Sequence, residues 1–112
     1  MRIVDKPWGH ETIWAETDKY AGKLLTINAG HKLSRQYHEF KEETIYVLEG
    51  RLVLETGHAP HQTLILEAGS TYHVKPGHIH RFAAPSEGCT LIEVSTPELE
   101  DVVRLEDEYD RS

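Results

Sequence analysis

Short stretches of period-two patterning, each cut off by a glycine or proline turn, constrain this chain more than any other feature. Glu11–Ala15 and Lys23–Ile27 alternate in the manner of half-buried strands, and Thr44–Leu48 is dense in β-branched and aromatic residues. Glu49-Gly50 then turns the chain into Arg51–Glu55, a hairpin signal. Turn signals follow at Gly57–Pro60, Ala68-Gly69, Pro76-Gly77 and Ala84–Gly88. Between them lie strand-like runs at Gln62–Leu66, Ser70–Val74, His80–Ala83 and Thr90–Val94. Strands at roughly 8–12-residue spacing predict an all-β sandwich or barrel. No segment sustains a helical period. Only the acidic tail, 97–112, is ambiguous: Leu99, Val102, Val103 and Leu105 sit among carboxylates, which fits a short helix or an edge strand. Its charge run reads as a solvated face, and residues 110–112 as a frayed end.

At 112 residues the chain fits a single domain, 1–112, since domains run to about 100–150 residues. Its core is small, so pairing with a second copy would add stability, and a homodimer is expected. A net charge of -7 opposes nucleic-acid binding, which needs cations to neutralise phosphates. It equally disfavours an anionic membrane surface, and no apolar run approaches the roughly 20 residues of a membrane span. The single cysteine, Cys89, excludes an internal disulfide and a thiolate zinc cage. Met1–Trp8 lacks the apolar core of a secretion signal, so the expected setting is cytoplasmic.

Eight histidines are many for this length. Most single histidines are packed or solvated, and spacing must separate those that do chemistry. Between Gly30 and Gly50 lie Gln36, His38 and Glu43. Strand alternation puts Gln36 and His38 on one face, with Leu33 and Tyr37 on the other. Glu43 shares a face with Ile45 and Val47. Between Gly69 and Ala84, the Pro76-Gly77 turn delivers His80 to the start of a strand whose same face carries Phe82. Two imidazoles, one carboxylate and one amide oxygen form a nitrogen–oxygen donor set suited to Mn, Fe, Co, Ni or Zn. A carboxylate or imidazole near such a site would be needed to move protons, and Glu93, His73 and His78 are the candidates. Arg81 and Arg35 are candidates for holding an anionic substrate group. His58 and His61 flank a turn and read as surface residues. Trp8, Trp14 and Tyr46 read as core or interface residues, with Trp8 suited to cover a barrel end.

The segments 30–50 and 69–84 resemble the two motifs of the cupin superfamily, Gly-x5-His-x-His-x3–4-Glu-x6-Gly and Gly-x5-Pro-x-Gly-x2-His-x3-Asn. Here Gln36 stands in the first histidine position, Lys75 in a proline position and Ala84 in the closing asparagine position. The resemblance implies a jelly-roll β-barrel with a divalent metal held by Gln36, His38, Glu43 and His80. A narrower resemblance is to the cupin domain of type II mannose-6-phosphate isomerases. It rests on Lys6-Pro7-Trp8-Gly9, Leu33-Ser34-Arg35-Gln36-Tyr37-His38, Ser70-Thr71-Tyr72, His80-Arg81 and Val103-Arg104-Leu105-Glu106-Asp107-Glu108-Tyr109. It implies a small-molecule substrate, a sugar or sugar phosphate, and an aldose–ketose isomerisation whose enediol intermediate the metal stabilises. The fold also hosts other metal-dependent enzymes, dioxygenases and lyases among them, and non-catalytic binding proteins, so the fold does not decide between these.

Overall fold

The computed structural model describes residues 1–109; the frayed end expected at 110–112 lies outside the described residues. Twelve strands and no helix make up the described chain. They are β1 (Arg2–Lys6), β2 (Gly9–Glu16), β3 (Ala21–Ile27), β4 (His31–Lys32), β5 (Arg35–Tyr37), β6 (Glu43–Glu49), β7 (Arg51–Thr56), β8 (Gln62–Glu67), β9 (Thr71–Val74), β10 (His80–Ala84), β11 (Cys89–Ser95) and β12 (Val103–Glu106). The eight strand-like runs read from the sequence are β2, β3 and β6–β11. The pattern left β1 and β4 unread and touched β5 only through the alternation of Gln36 and His38. β12 resolves the ambiguity of the tail in favour of an edge strand, which pairs antiparallel with β5.

Two antiparallel sheets face each other. One runs β1-β2-β3-β11-β6-β9; the other runs β12-β5-β10-β7-β8, with β4 also paired to β10. This is the all-β architecture that the turn spacing predicts, in the jelly-roll form that the cupin resemblance implies. The β6–β7 hairpin needs Gly50: its φ is 78°, and a Cβ there would lie 2.1 Å from the Gly88 carbonyl oxygen.

The core lies between the sheets. Inward positions two residues apart on β3, β6, β7, β10 and β11 supply Leu25 and Ile27, Ile45 and Val47, Leu52 and Leu54, Phe82 and Ala84, and Cys89 and Leu91, all buried. Trp8 joins this cluster and is 2% exposed. Trp14 and Tyr46, by contrast, lie on exposed positions. Leu33 overturns the expectation that it faces outward: it belongs to the core. The strand breaks at Leu33-Ser34, between β4 and β5, so the two-residue alternation does not carry across. No helix among the described residues is long and apolar enough to cross a membrane.

Candidate metal centre

The inward faces that supply the core change character at one end of the barrel. One step from Leu25 stands Lys23; from Ile45, Glu43; from Leu91, Glu93; and from Phe82, His80. All four are buried. Register makes them neighbours, because β3, β11 and β6 are adjacent strands with Glu93 opposite Lys23 on one side and Ile45 on the other. On the facing sheet His80 sits opposite Gln36.

His38, Glu43 and His80 converge, each offering a ligand atom within 4.8 Å of the others. His38 Nε2 is 3.2 Å and His80 Nε2 3.4 Å from the same carboxylate oxygen, Glu43 Oε1. Each imidazole is held through its other nitrogen. His38 Nδ1 donates to the Asp101 carbonyl at 2.6 Å, and His80 Nδ1 to the His78 carbonyl at 2.9 Å. A carbonyl only accepts, so both Nδ1 atoms carry a proton and both rings turn Nε2 toward the carboxylate, as a lone pair when the ring is neutral and as an N–H when it is protonated. Lone pairs facing an anion repel unless the rings are protonated or a cation lies between them. His80 Nε2 accordingly has no hydrogen-bond partner although it is wholly buried. Neutral imidazoles fixed through Nδ1, together with a carboxylate, fit a divalent metal.

Gln36 lines the same cavity as His38 and Glu43, with its Oε1 accepting from Ser34 Oγ at 3.2 Å. Glu43 turns inward, while its neighbour Glu42 turns out to pair with His73.

Beside this group is a buried charge chain that the motifs did not indicate. Lys41 Nζ lies 3.2 Å from Glu43 Oε2 and donates to Glu93 Oε2 at 3.1 Å. Lys23 makes a further pair with Glu11 at 3.1 Å. Burial works to raise the Glu43 carboxyl, but His38, His80 and Lys41 outweigh it and hold it well below the usual carboxylate range. Glu93 goes the opposite way. Burial and then the charge of Glu43 push it up to about 8, despite Lys41. Lys41 is itself raised, as its two carboxylates overcome the cost of burial. Two adjacent carboxyls thus prefer different protonation states, which suits one to hold a cation and the other to carry a proton.

The remaining candidates fall elsewhere. Among the proton carriers only Glu93 reaches the cavity. His73 is exposed on the outer face: β9 presents Tyr72 and Val74 inward, since Glu43 is opposite Val74 and Ile45 opposite Tyr72. His78 accepts or donates at Tyr72 Oη, 2.9 Å away, and supports His80 through its carbonyl without lining the cavity. Arg35 and Arg81 also fail to line the cavity. Arg35 pairs with Glu55 at 2.8 Å and Glu106 at 3.0 Å. Arg81 donates through Nε to the Leu33 carbonyl and lies near Glu106 and Glu108. Alternation from the inward Gln36 and His80 puts both arginines on the opposite face of their sheet.

The tail differs from the solvated face expected of it. Asp101 accepts from the backbone N–H groups of Glu39, Phe40 and Lys41, and its carbonyl receives His38. Those N–H groups lower the Asp101 carboxyl below its ordinary value. Leu99, Val102 and Arg104 line the cavity. For Lys23 a sequence signal existed, a charge in phase with Leu25 and Ile27. Lys41 lies outside any strand, so alternation had no purchase on it.

Solved structures share this architecture. KdgF from Halomonas sp. aligns with a TM-score of 0.78 at 19% identity, over 90% of this chain and 92% of that one. Bacillus subtilis oxalate decarboxylase, a protein described with Mn(II) centres, aligns with a TM-score of 0.76 at 18% identity, over 94% of this chain and 30% of that one. At such identities the likeness is one of fold. Among curated proteins, xanthan biosynthesis protein XanB of Xanthomonas campestris pv. campestris is 29% identical over 115 residues, covering 99% of this chain. The chain spans about a quarter of that relative's length, 24%. Residues 23–95, which hold His38, Glu43 and His80, match the Cupin domain family, and the chain belongs to the cupin superfamily.

Proposed function

We propose that this cupin is a metal-dependent enzyme acting on a sugar or sugar phosphate, in the manner of a mannose-6-phosphate isomerase. The observation that carries the reading is the convergence of His38 Nε2 and His80 Nε2 on Glu43 Oε1, with the buried Glu93–Lys41 pair alongside. His38, Glu43 and His80 would hold the ion, with Gln36 as a fourth donor. The metal would polarise a substrate carbonyl and stabilise the negative charge that develops on its oxygen.

The chain's own residues supply the rest. Aldose–ketose exchange requires one group to take a proton from carbon and return it to the neighbouring carbon. Glu93, whose carboxyl is pushed up to about 8, is suited to gain and release a proton near neutral pH. Lys41 donates to Glu93 Oε2 and orients that carboxyl. Trp8, Leu25 and Phe82 line the cavity beside these groups and limit the water around them. The wider reading takes residues 1–112 as one cupin domain working in the cytoplasm as a homodimer on a small-molecule substrate. The likeness to XanB, a xanthan biosynthesis protein by its description, supports a carbohydrate substrate.

The test has two stages. Metal analysis should find a divalent ion in the purified protein and its loss in His38→Ala, Glu43→Gln and His80→Ala. Metal-loaded protein should then interconvert mannose 6-phosphate and fructose 6-phosphate, or an unphosphorylated aldose–ketose pair. Unchanged metal content in all three variants refutes the site. Metal binding without sugar interconversion refutes the isomerase. Oxygen uptake by the iron-loaded protein with a substrate would instead mark a dioxygenase, which the two-histidine, one-carboxylate set also suits.

A further inference from the structure

Positive charge is scarce in this chain, with 12 Lys and Arg against 19 Asp and Glu. Most of its described cations are committed to carboxylates. Arg2, Lys32, Arg35, Arg51 and Arg81 are paired on the outside of the barrel, and Lys23 and Lys41 inside it. Two cations on the wall of the metal-site cavity break this pattern. Lys6, at the end of β1, and Arg104, on β12, line that cavity and make no ion pair within the described residues. Arg104 stands directly opposite Gln36 in the β12–β5 register, and its Nε is buried without a hydrogen-bond partner.

An orphaned guanidinium N–H is costly unless something outside the chain accepts from it. The carboxylates of β12 and the residues after it, Glu106 and Glu108, turn to Arg35 and Arg81, and neither makes an ion pair with Arg104. The strands carrying Lys6 and Arg104 belong to different sheets, so a ligand entering between the sheets meets one cation from each wall.

We propose that Arg104 and Lys6 form an anion subsite of the cavity, which selects substrates bearing a carboxylate or phosphate. The proposal rests on the reading above only in placing the ligand's other, carbonyl- or hydroxyl-bearing end at His38, Glu43 and His80. Arg104 supplies a planar fork of donors suited to the oxygens of either anion, and Lys6 adds a point charge. A neutral sugar would leave both unsatisfied.

The test is binding of four probes to the full chain by calorimetry, with and without metal: mannose, mannose 6-phosphate, glucuronate and inorganic phosphate. Both anionic sugars, or one of them, should bind at least about tenfold more tightly than mannose, and the advantage should shrink as salt rises. Preference for mannose 6-phosphate identifies a phosphate ligand; preference for glucuronate identifies a carboxylate. Inorganic phosphate should compete with the preferred ligand. Arg104→Gln and Lys6→Gln should each lower that affinity by about tenfold, through loss of a charge-assisted contact. Neither should alter metal content or affinity for mannose. Arg104→Lys should recover part of the loss, which separates lost charge from lost packing. Equal affinity for mannose and both anions, or anion affinity unchanged in both variants, overturns the proposal. Loss of metal in Arg104→Gln also overturns it, because the residue would then serve the metal centre. Charge-dependent anion binding in a protein that takes up no metal would refute the metal-enzyme reading and leave this subsite standing.

Discussion

The two ends of the barrel interior are built from the same strands and differ completely in chemistry. On β3, β6, β10 and β11 the inward residues at one end are Ile27, Val47, Ala84 and Cys89, and at the other Lys23, Glu43, His80 and Glu93. Both ends are buried to a similar degree. The apolar end gains stability by removing hydrocarbon from water. The charged end must offset the desolvation of each ion, and does so with the chain Glu43–Lys41–Glu93 and the pair Lys23–Glu11. Burial of this kind contributes little net stability. What the charged end gains is fixed geometry and carboxyl groups moved in opposite directions from their ordinary values. One barrel thus divides into a half that folds the chain and a half that the folded chain holds ready for chemistry.

The sharpest way to break this division is to remove a ligand. His80→Ala and Glu43→Gln should reduce bound metal to background and abolish turnover, while the variants still fold; a variant that keeps wild-type metal content would refute the division. Next in size are paired substitutions inside the barrel. Lys41→Met leaves Glu43 and Glu93 facing each other without their cation and should cost about 3–5 kcal/mol in urea unfolding of the metal-free protein. Leu52→Ala, toward the apolar end, should cost about 2–5 kcal/mol and leave metal stoichiometry intact. Metal loss in Leu52→Ala at temperatures where it is folded would show that the halves are not separable.

The pH dependence sharpens the contrast further. Glu93 is raised from 4.5 to about 8 in the folded protein, so the folded state holds that proton more tightly than the unfolded state does. Its contribution to stability is complete below about pH 4.5 and is lost as pH rises through about 8. Glu43 is lowered, so its contribution is present above the ordinary carboxylate value and lost on acidification. The unfolding midpoint of metal-free protein should therefore carry a downward slope between pH 5 and 8 that Glu93→Gln removes. An unchanged slope would show that Glu93 is not the group responsible. The smallest effect is expected at Asp101. Asp101→Ala frees the N–H groups of Glu39–Lys41 and loosens the carbonyl that holds His38. Metal affinity should fall by about tenfold with little change in unfolding midpoint, as for other groups that orient a ligand.

How much of the site was legible depends on where each residue sits relative to a strand. His80 and Glu43 begin β10 and β6, so alternation with Phe82 and with Ile45 aims them inward. Glu93 follows the same rule on β11. His73 obeys it too, but its phase depends on which face of β9 meets β6, a fact of pairing that the local sequence does not contain. Arg35 and Arg81 adjoin inward residues and were drawn to the site by proximity in sequence, although one step along a strand reverses direction. Lys41 and Asp101 occupy connecting segments, where no period assigns a direction.

The sequence by itself determined most of the strands, the turns that separate them, and the inward aim of Glu43 and His80, because period-two alternation and glycine-dependent turns are local properties. Tertiary structure alone decided which inward charges meet. The contacts of Lys41 with Glu93, of His38 with Asp101, and of Arg104 with the cavity join residues distant along the chain through sheet register and the return of β12 to β5, and the electrostatics of the site follow from those distances.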